Sequence, residues 1–228
     1  MLSRETLRDN IRRFYTRLEA AAVKSGRKLS DISVVAAIKS QPEEIINNLK
    51  SLGIDAVGDN RVQELIRRYN PGLGLKWHFI GQLQTNKVKY IIDKVDLIHS
   101  LDRLPLLEKL DKEALKSGKK VNALIEVNAG GEPNKGGIEP SGVIEFARLT
   151  ADYPNVTIRG LMSVMPQADE SRLEYLFNSI RDLYIKLKDM PHISADILSL
   201  GMSNDFELAV KCGSNMVRPG RVIFGERS

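Results

Sequence analysis

Hydrophobic positions along the chain follow two rhythms. Over residues 2–24, Leu7, Ile11, Phe14 (or Tyr15), Leu18 and Ala22 recur three and four apart, the period of an amphipathic helix, and Gly26 ends it. The pattern then changes. Ser33-Val34-Val35-Ala36-Ala37-Ile38 is short, apolar and rich in β-branched residues, which predicts a strand covered on both faces, and Lys39 stands at its end before Ser40-Gln41-Pro42. From there short apolar runs and helical stretches take turns. Strands are predicted at 55–58, 76–80, 95–99, 121–127, 156–161, 196–200 and 216–217. Helices are predicted at 42–52, 61–69 (capped by Asp59-Asn60), 84–92, 103–116, 140–151, 170–188 and 205–212. Asn70-Pro71-Gly72 is a turn, and residues 128–137 form a glycine-rich loop.

Eight strands, each separated from the next by a helix, predict a parallel sheet, because every crossover returns the chain in the same direction. Eight such units point to an α/β fold of the closed (β/α)8, TIM-type barrel class, with an open doubly wound sheet as the alternative. One long helix precedes the first strand and almost nothing comes after the eighth. The N-terminal helix is therefore expected to cover wall left bare by the missing last helix. No linker or low-complexity segment divides residues 1–228, which predicts a single domain.

Composition narrows the functions. The balance of 34 Lys and Arg against 29 Asp and Glu gives +5, but Arg12-Arg13, Arg67-Arg68 and Lys119-Lys120 are scattered among acids and the chain has one Trp. No basic stripe is interleaved with stacking aromatics, which argues against nucleic acid and favours a small anionic ligand. No apolar run approaches a membrane span, the N-terminus lacks a signal-peptide pattern, and one cysteine suits a reducing compartment; the expectation is cytoplasm.

Active sites of such barrels lie at the carboxyl ends of the strands. There the sequence places Lys39, then Asp59 and Asn60, Gly81 and Gln82, Ser100 and Asp102, Asn128, Met162 and Ser163, Gly201-Met202-Ser203-Asn204, and Arg218-Pro219-Gly220-Arg221. Lys39 has two readings: a lysine that snorkels to solvent, or an amine nucleophile able to form an imine with an aldehyde. Barrels often bind phosphate between the loops after strands seven and eight. Ser203 and Asn204 stand where a helix begins, either as phosphate ligands or as plain caps with Asn204 and Glu207 in a capping-box-like pair. Arg218 and Arg221 flank a glycine turn at the same end. One lysine and one phosphate cradle suggest a phosphorylated aldehyde; pyridoxal 5′-phosphate (PLP) fits, though the residues alone do not single it out.

Other patterns fail. Gly131-Glu132-Pro133-Asn134-Lys135-Gly136-Gly137 lacks the Gly-Lys-Ser/Thr of a P-loop, and Gly72-Leu73-Gly74 has no third glycine. His78, His99 and His192 have no partner at metal-ligand spacing. His78 is expected to be a hydrogen-bonded core residue and Cys212 a packing residue; His99, nearer the site end, is a candidate to touch a ligand.

Taken together, these stretches resemble the pyridoxal phosphate homeostasis proteins, the YggS/PROSC family of PLP-binding proteins. The likeness is carried by Lys39 in its strand, residues 58–64, Trp77-His78-Phe79-Ile80-Gly81-Gln82-Leu83-Gln84-Thr85-Asn86-Lys87, residues 131–137, Gly160-Leu161-Met162-Ser163-Val164-Met165-Pro166, Gly201-Met202-Ser203-Asn204-Asp205, Val217-Arg218 and Ile223-Phe224-Gly225. The resemblance implies a fold-type III PLP barrel, similar to the N-terminal domain of alanine racemase. It implies a Schiff base on Lys39, with Ser203, Asn204 and the amides of Gly220 and Arg221 around the phosphate. It puts Arg218 against the pyridine nitrogen, and Asn60 and Met162 along the ring pocket. The family is understood as a binder, carrier or buffer of PLP in vitamin B6 homeostasis rather than as efficient enzymes. No catalytic residue is therefore assigned, and a monomer with transient contact to PLP-dependent enzymes is expected. A second domain of the kind that supplies alanine racemase with a catalytic tyrosine is not expected.

Three positions depart from the family pattern. Gly58-Asp59-Asn60 has a shorter acid than the usual Gly-Glu-Asn. Ile38 replaces the usual serine before the lysine. Arg221 replaces a hydroxyl residue that usually comes after the glycine. Two further readings stay open: a PLP-dependent amino-acid racemase of fold type III, and a phosphate-ligand barrel that takes no PLP.

Overall fold

The computed structural model describes residues 2–132 and 136–226. Part of the 131–137 motif, residues 133–135, lies outside the described residues. Ser3 caps helix α1 (Arg4–Lys24) by accepting from the Thr6 amide, and the helix buries Leu7, Ile11, Phe14, Leu18, Ala21 and Ala22. The barrel then runs β1 (Ser33–Ala37), α2 (Glu43–Leu49), β2 (Ala56–Asp59), α3 (Val62–Arg68), β3 (Lys76–Phe79), β4 (Leu97–Leu101) and α4 (Leu104–Ser117). It continues with β5 (Val121–Val127), α5 (Val143–Leu149), β6 (Val156–Ser163), α6 (Glu170–Lys188), β7 (Ile197–Ser199), α7 (Phe206–Lys211), β8 (Met216–Val217) and α8 (Arg221–Phe224). The strands close in sequence order, with β8 pairing parallel to β1. The closed barrel is the predicted architecture, and the open sheet is excluded by that last pairing. Among the described residues no helix is long and apolar enough to cross a membrane.

Most differences from the predicted elements lie at their ends, where local hydrogen bonds compete with helix or sheet. Residues 42–52 divide into α2 and a 3₁₀ turn at Lys50–Leu52. Residues 140–151 likewise carry 3₁₀ turns on both sides of α5. The stretch 84–92 is a 3₁₀-helix, Thr85–Tyr90, held by i→i+3 bonds such as Lys87 N to Gln84 O. The fourth strand starts at Leu97 rather than residue 95, because the Val95 amide is still bonded to Ile91 O. The first strand stops at Ala37, one residue short of the prediction.

Asp59 does not cap α3. Its Oδ1 accepts from the amides of Asn60 and Arg61, and its Oδ2 takes Arg68 Nη1 at 2.7 Å in a fully buried ion pair. The shorter acid of Gly58-Asp59-Asn60 thus still staples β2 to α3. After β8 the chain makes one helical turn, α8, where almost nothing was predicted. Helix α1 covers this side as expected: Asn10 Nδ2 donates to Ile223 O, and Phe14 packs on Phe206 with ring centroids 5.1 Å apart.

Strand alternation sorts side chains into two sets. Val34, Ala36, Ile38, Val57, Ile98 and Ile125 face outward into the core between barrel and helices. Val35, Ala56, Leu97, Leu124, Met162 and Met216 fill the barrel interior. Cys212 is buried in the outer core, as expected of a packing residue, and burial pushes its thiol up.

Candidate ligand site at the barrel mouth

Counting by twos from the interior set reaches the mouth. From Val35 the inward positions are Ala37 and Lys39; from Ala56, Gly58 and Asn60; from Leu124, Glu126; from Met216, Arg218. Lys39 therefore stands on the inward register of β1, in a turn rather than on the strand. Ser40 behind it is the only non-glycine among the described residues with positive φ, at 65°. Ile38 is fully buried in the outer core, so the missing serine hydroxyl concerns the opposite face from Lys39.

The loops around Lys39 interlock. The Ala37 amide donates to Pro219 O, extending the β8–β1 contact past Arg218. Gly220 lies over Ala37, with room for a Cβ at 3.6 Å from it. Ser203 Oγ accepts from the amides of Gly220 at 3.0 Å and Val222 at 3.2 Å, tying the loop after β7 to the start of α8. Ser203 is thus a cap for α8, not for α7, whose N-cap is Asp205. The capping-box alternative for Asn204 and Glu207 fails, because both Glu207 oxygens are taken by Arg17 of α1 at 3.0 and 2.8 Å. Asn204 is exposed and lines a groove with Lys24 and Leu173 on the helix side of the loop. Arg221 is exposed at the first position of α8.

On the other flank, Lys39, Ser40, Asn60, Arg61 and Arg67 line a cleft of about 410 Å³. Gly81 is required beside it: a Cβ there would fall 2.3 Å from Asn60 O.

Arg218 is 4% exposed, and the surrounding strands hold it on three contacts. Its Nη1 donates to Ser199 O and Ser199 Oγ, both at 2.7 Å, and its Nη2 to Ser163 O at 2.8 Å. Burial pushes the guanidinium down to about 10, so it remains a cation at neutral pH. Below it, His78 Nδ1 and His99 Nε2 are 3.0 Å apart, and His99 Nδ1 is 3.4 Å from Ser199 Oγ. His78 is the hydrogen-bonded core residue expected. His99 has no exposed surface and supports the serine that anchors Arg218. Burial holds both imidazoles neutral: His78 is pushed down to about 3 and His99 well below its ordinary value. Met162 is packed in the interior at 1% exposure.

Lys39, Ser203, Arg218 and Gly220 are thus gathered on adjoining strands and loops, with Asn60 across the β1–β2 edge. Sequence reasoning missed Ser199 and Glu126. Residues beyond each strand's last position were its candidates, whereas Ser199 and Glu126 lie inside strands. A polar residue at inward parity within an otherwise apolar run, as in Val121-Asn122-Ala123-Leu124-Ile125-Glu126-Val127, is the signal that finds them.

A barrel of this build, with an amine at the first strand's end and a buried arginine at the last, defines the alanine racemase type of domain. The model of that family, "alanine racemase, N-terminal domain", matches residues 3–228. The chain is 40% identical over 222 residues to a pyridoxal phosphate homeostasis protein of Aquifex aeolicus, covering 96% of this chain and 97% of that one. It is 36% identical over 227 residues to the protein of that name from Escherichia coli, covering 96% and 95%. The chain belongs to the pyridoxal phosphate homeostasis protein family. Among solved structures, PipY of Synechococcus elongatus with PLP bound superposes with a TM-score of 0.80 at 30% identity, over 92% of this chain and 99% of that one. The alanine racemase of Streptomyces lavendulae shares the fold alone, with a TM-score of 0.78 at 15% identity, over 97% of this chain and 57% of that one.

Proposed function

We propose that this chain binds PLP at the barrel mouth and serves intracellular PLP homeostasis as a binder and carrier, with Lys39 as a reversible covalent tether. When bound, PLP supplies an aldehyde that condenses reversibly with a primary amine. The observation that carries the reading is Arg218: a buried cation on the same inward register as Lys39, held rigid by Ser163 and Ser199. A fixed cation there suits a ring nitrogen that stays unprotonated, and that weakens the ring as an electron sink. The chain's residues therefore favour holding the cofactor over turning a substrate on it. Ser203 and the amides of Gly220 and Arg221 are assigned to the phosphate, the ligand taking the Gly220 amide over from Ser203 Oγ, with Asn60 and Met162 beside the ring; Asn204 stands on the helix side of the loop, away from them.

The described tyrosines support a binder. Tyr15, Tyr69, Tyr90, Tyr153, Tyr175 and Tyr184 lie on helices, helical turns or their ends, none at the carboxyl end of a barrel strand. The setting we infer is a reducing cytoplasm, with the protein acting as a monomer that meets PLP-dependent enzymes transiently.

An absorbance spectrum with added PLP tests the tether. The expected result is an imine band in the wild type that Lys39→Ala abolishes; an unchanged band in the variant sinks the assignment of Lys39. Stereochemical analysis of amino acids incubated with the PLP-loaded protein tests the racemase alternative, and turnover at enzyme-like rates would replace the binder reading.

A further inference from the structure

One ionisable side chain at the mouth keeps an unmatched buried oxygen among the described residues. Glu126 Oε2 is buried and has no hydrogen-bond partner. Glu126 sits on the inward register of β5, two residues beyond the interior Leu124 and in register with Met162 of β6. Its main chain is pinned, since the Ile138 amide donates to Glu126 O at 2.8 Å. The charged groups that face it are Asp102 and Arg103 from the end of β4 and Arg218 from β8. Asp102 is committed to Arg103 at 2.5 Å, and Arg218 to Ser163 and Ser199. His99, the interior histidine of β4, is neutral.

An ionised carboxylate with a buried, unmatched oxygen is costly, whereas a neutral carboxyl turns one oxygen into a donor. Burial pushes the Glu126 carboxyl up to about 7; Asp102 adds to this, and Arg218 and Arg103 oppose it. The acid form is therefore accessible near neutral pH. A hydrogen-bond donor is then available at the mouth, on the strand that the Lys39–Arg218 arrangement leaves unused.

We propose that Glu126 is a ligand-recognition residue: as a carboxylic acid it donates a hydrogen bond to an acceptor oxygen of the bound ligand, so that binding draws a proton into the site. The identity of the ligand rests on the proposed PLP-binding function; the role of Glu126 is a separate claim. The probe is pyridoxine 5′-phosphate, which carries an alcohol in place of the aldehyde and so binds without condensing with Lys39.

Titration calorimetry between pH 6 and 8.5, in two buffers of different ionisation enthalpy, reads both affinity and proton uptake. The wild type is expected to lose affinity about tenfold more than Glu126→Gln between pH 6 and 8, and to take up more protons at pH 8. Titration of the ligand's own phosphate is common to both proteins and cancels in the comparison. Asp102→Asn is expected to move the break to lower pH, since a negative neighbour that favours the acid form is gone. Superimposable profiles and equal proton uptake for wild type and Glu126→Gln would overturn the proposal, as would an Asp102→Asn break that stays in place. Neither result touches the imine band, so the tether reading stands or falls on its own experiment.

Discussion

The lower half of the barrel interior is sealed by Val35, Ala56, Leu97, Leu124 and Met216, whereas the upper half, two positions further along the strands, holds His78, His99, Glu126, Ser199 and Arg218. Both halves are built by the same alternation, and they differ in what the fold gains from them. The apolar half removes hydrocarbon from water and stabilises the barrel directly. The polar half has to satisfy each group it buries, and it does so through strand-end carbonyls and serine hydroxyls. Among the described residues the exceptions at this end are the Ser100 hydroxyl and an oxygen of Glu126, and of the two only Glu126 is ionisable. The molecule concentrates unfavourable burial where a ligand would meet it, and relies on the half below to keep those groups still.

Truncating the apolar half is expected to have the largest effect on stability. Leu124 is fully buried, and Leu124→Ala should cost about 3 kcal/mol in urea unfolding. Because the cavity lies below the mouth, the PLP imine band should remain; a lost band in a folded Leu124→Ala protein would break the division between the two halves.

Arg218→Ala is expected to cost less stability, about 2 kcal/mol, since it leaves the carbonyls of Ser163 and Ser199 unpaired while removing a desolvated charge. Ligand affinity should fall at the same time. A stability loss with wild-type affinity would confine Arg218 to a structural part.

The histidine pair sharpens the comparison through pH. Both imidazoles are held neutral in the fold, below their unfolded value of about 6.5. Below that pH the unfolded chain binds protons that the folded one refuses. Stability from His78 is therefore complete above about pH 6.5 and is lost as pH falls toward 3, by about 1.4 kcal/mol per pH unit, and His99 acts in the same direction. Urea midpoints at pH 7, 6 and 5 measure this slope. In His99→Asn the slope should shrink, and an unchanged slope would show that the acid sensitivity comes from elsewhere.

The sequence made the barrel legible because periodicity is a local property. Interior runs such as Ser33-Val34-Val35-Ala36-Ala37 declare themselves as buried strands without reference to their partners, and strict alternation with helices leaves few topologies. The candidate site was partly legible by the same logic: Lys39, Ser203, Arg218 and Gly220 come directly after strands and so fall at one end of the barrel. Cap assignments were less legible. Ser203 precedes one helix in sequence but caps the next one in space, across the loop that β8 brings alongside. Asp59 looked like a local cap and instead reaches Arg68, because β2 and α3 are packed tightly enough to bury the pair.

By itself the sequence determined the element order, the inward parity of each strand and the end of the barrel where the polar loops gather, since each depends on spacing along the chain. Only the tertiary structure decided which polar groups are matched. Arg218 finds its acceptors on β6 and β7, His99 meets His78 from the neighbouring strand, and Glu126 is left with one buried oxygen unpaired. Those outcomes depend on closure of the barrel, which brings residues distant in sequence within hydrogen-bond reach and excludes the water that would otherwise satisfy them.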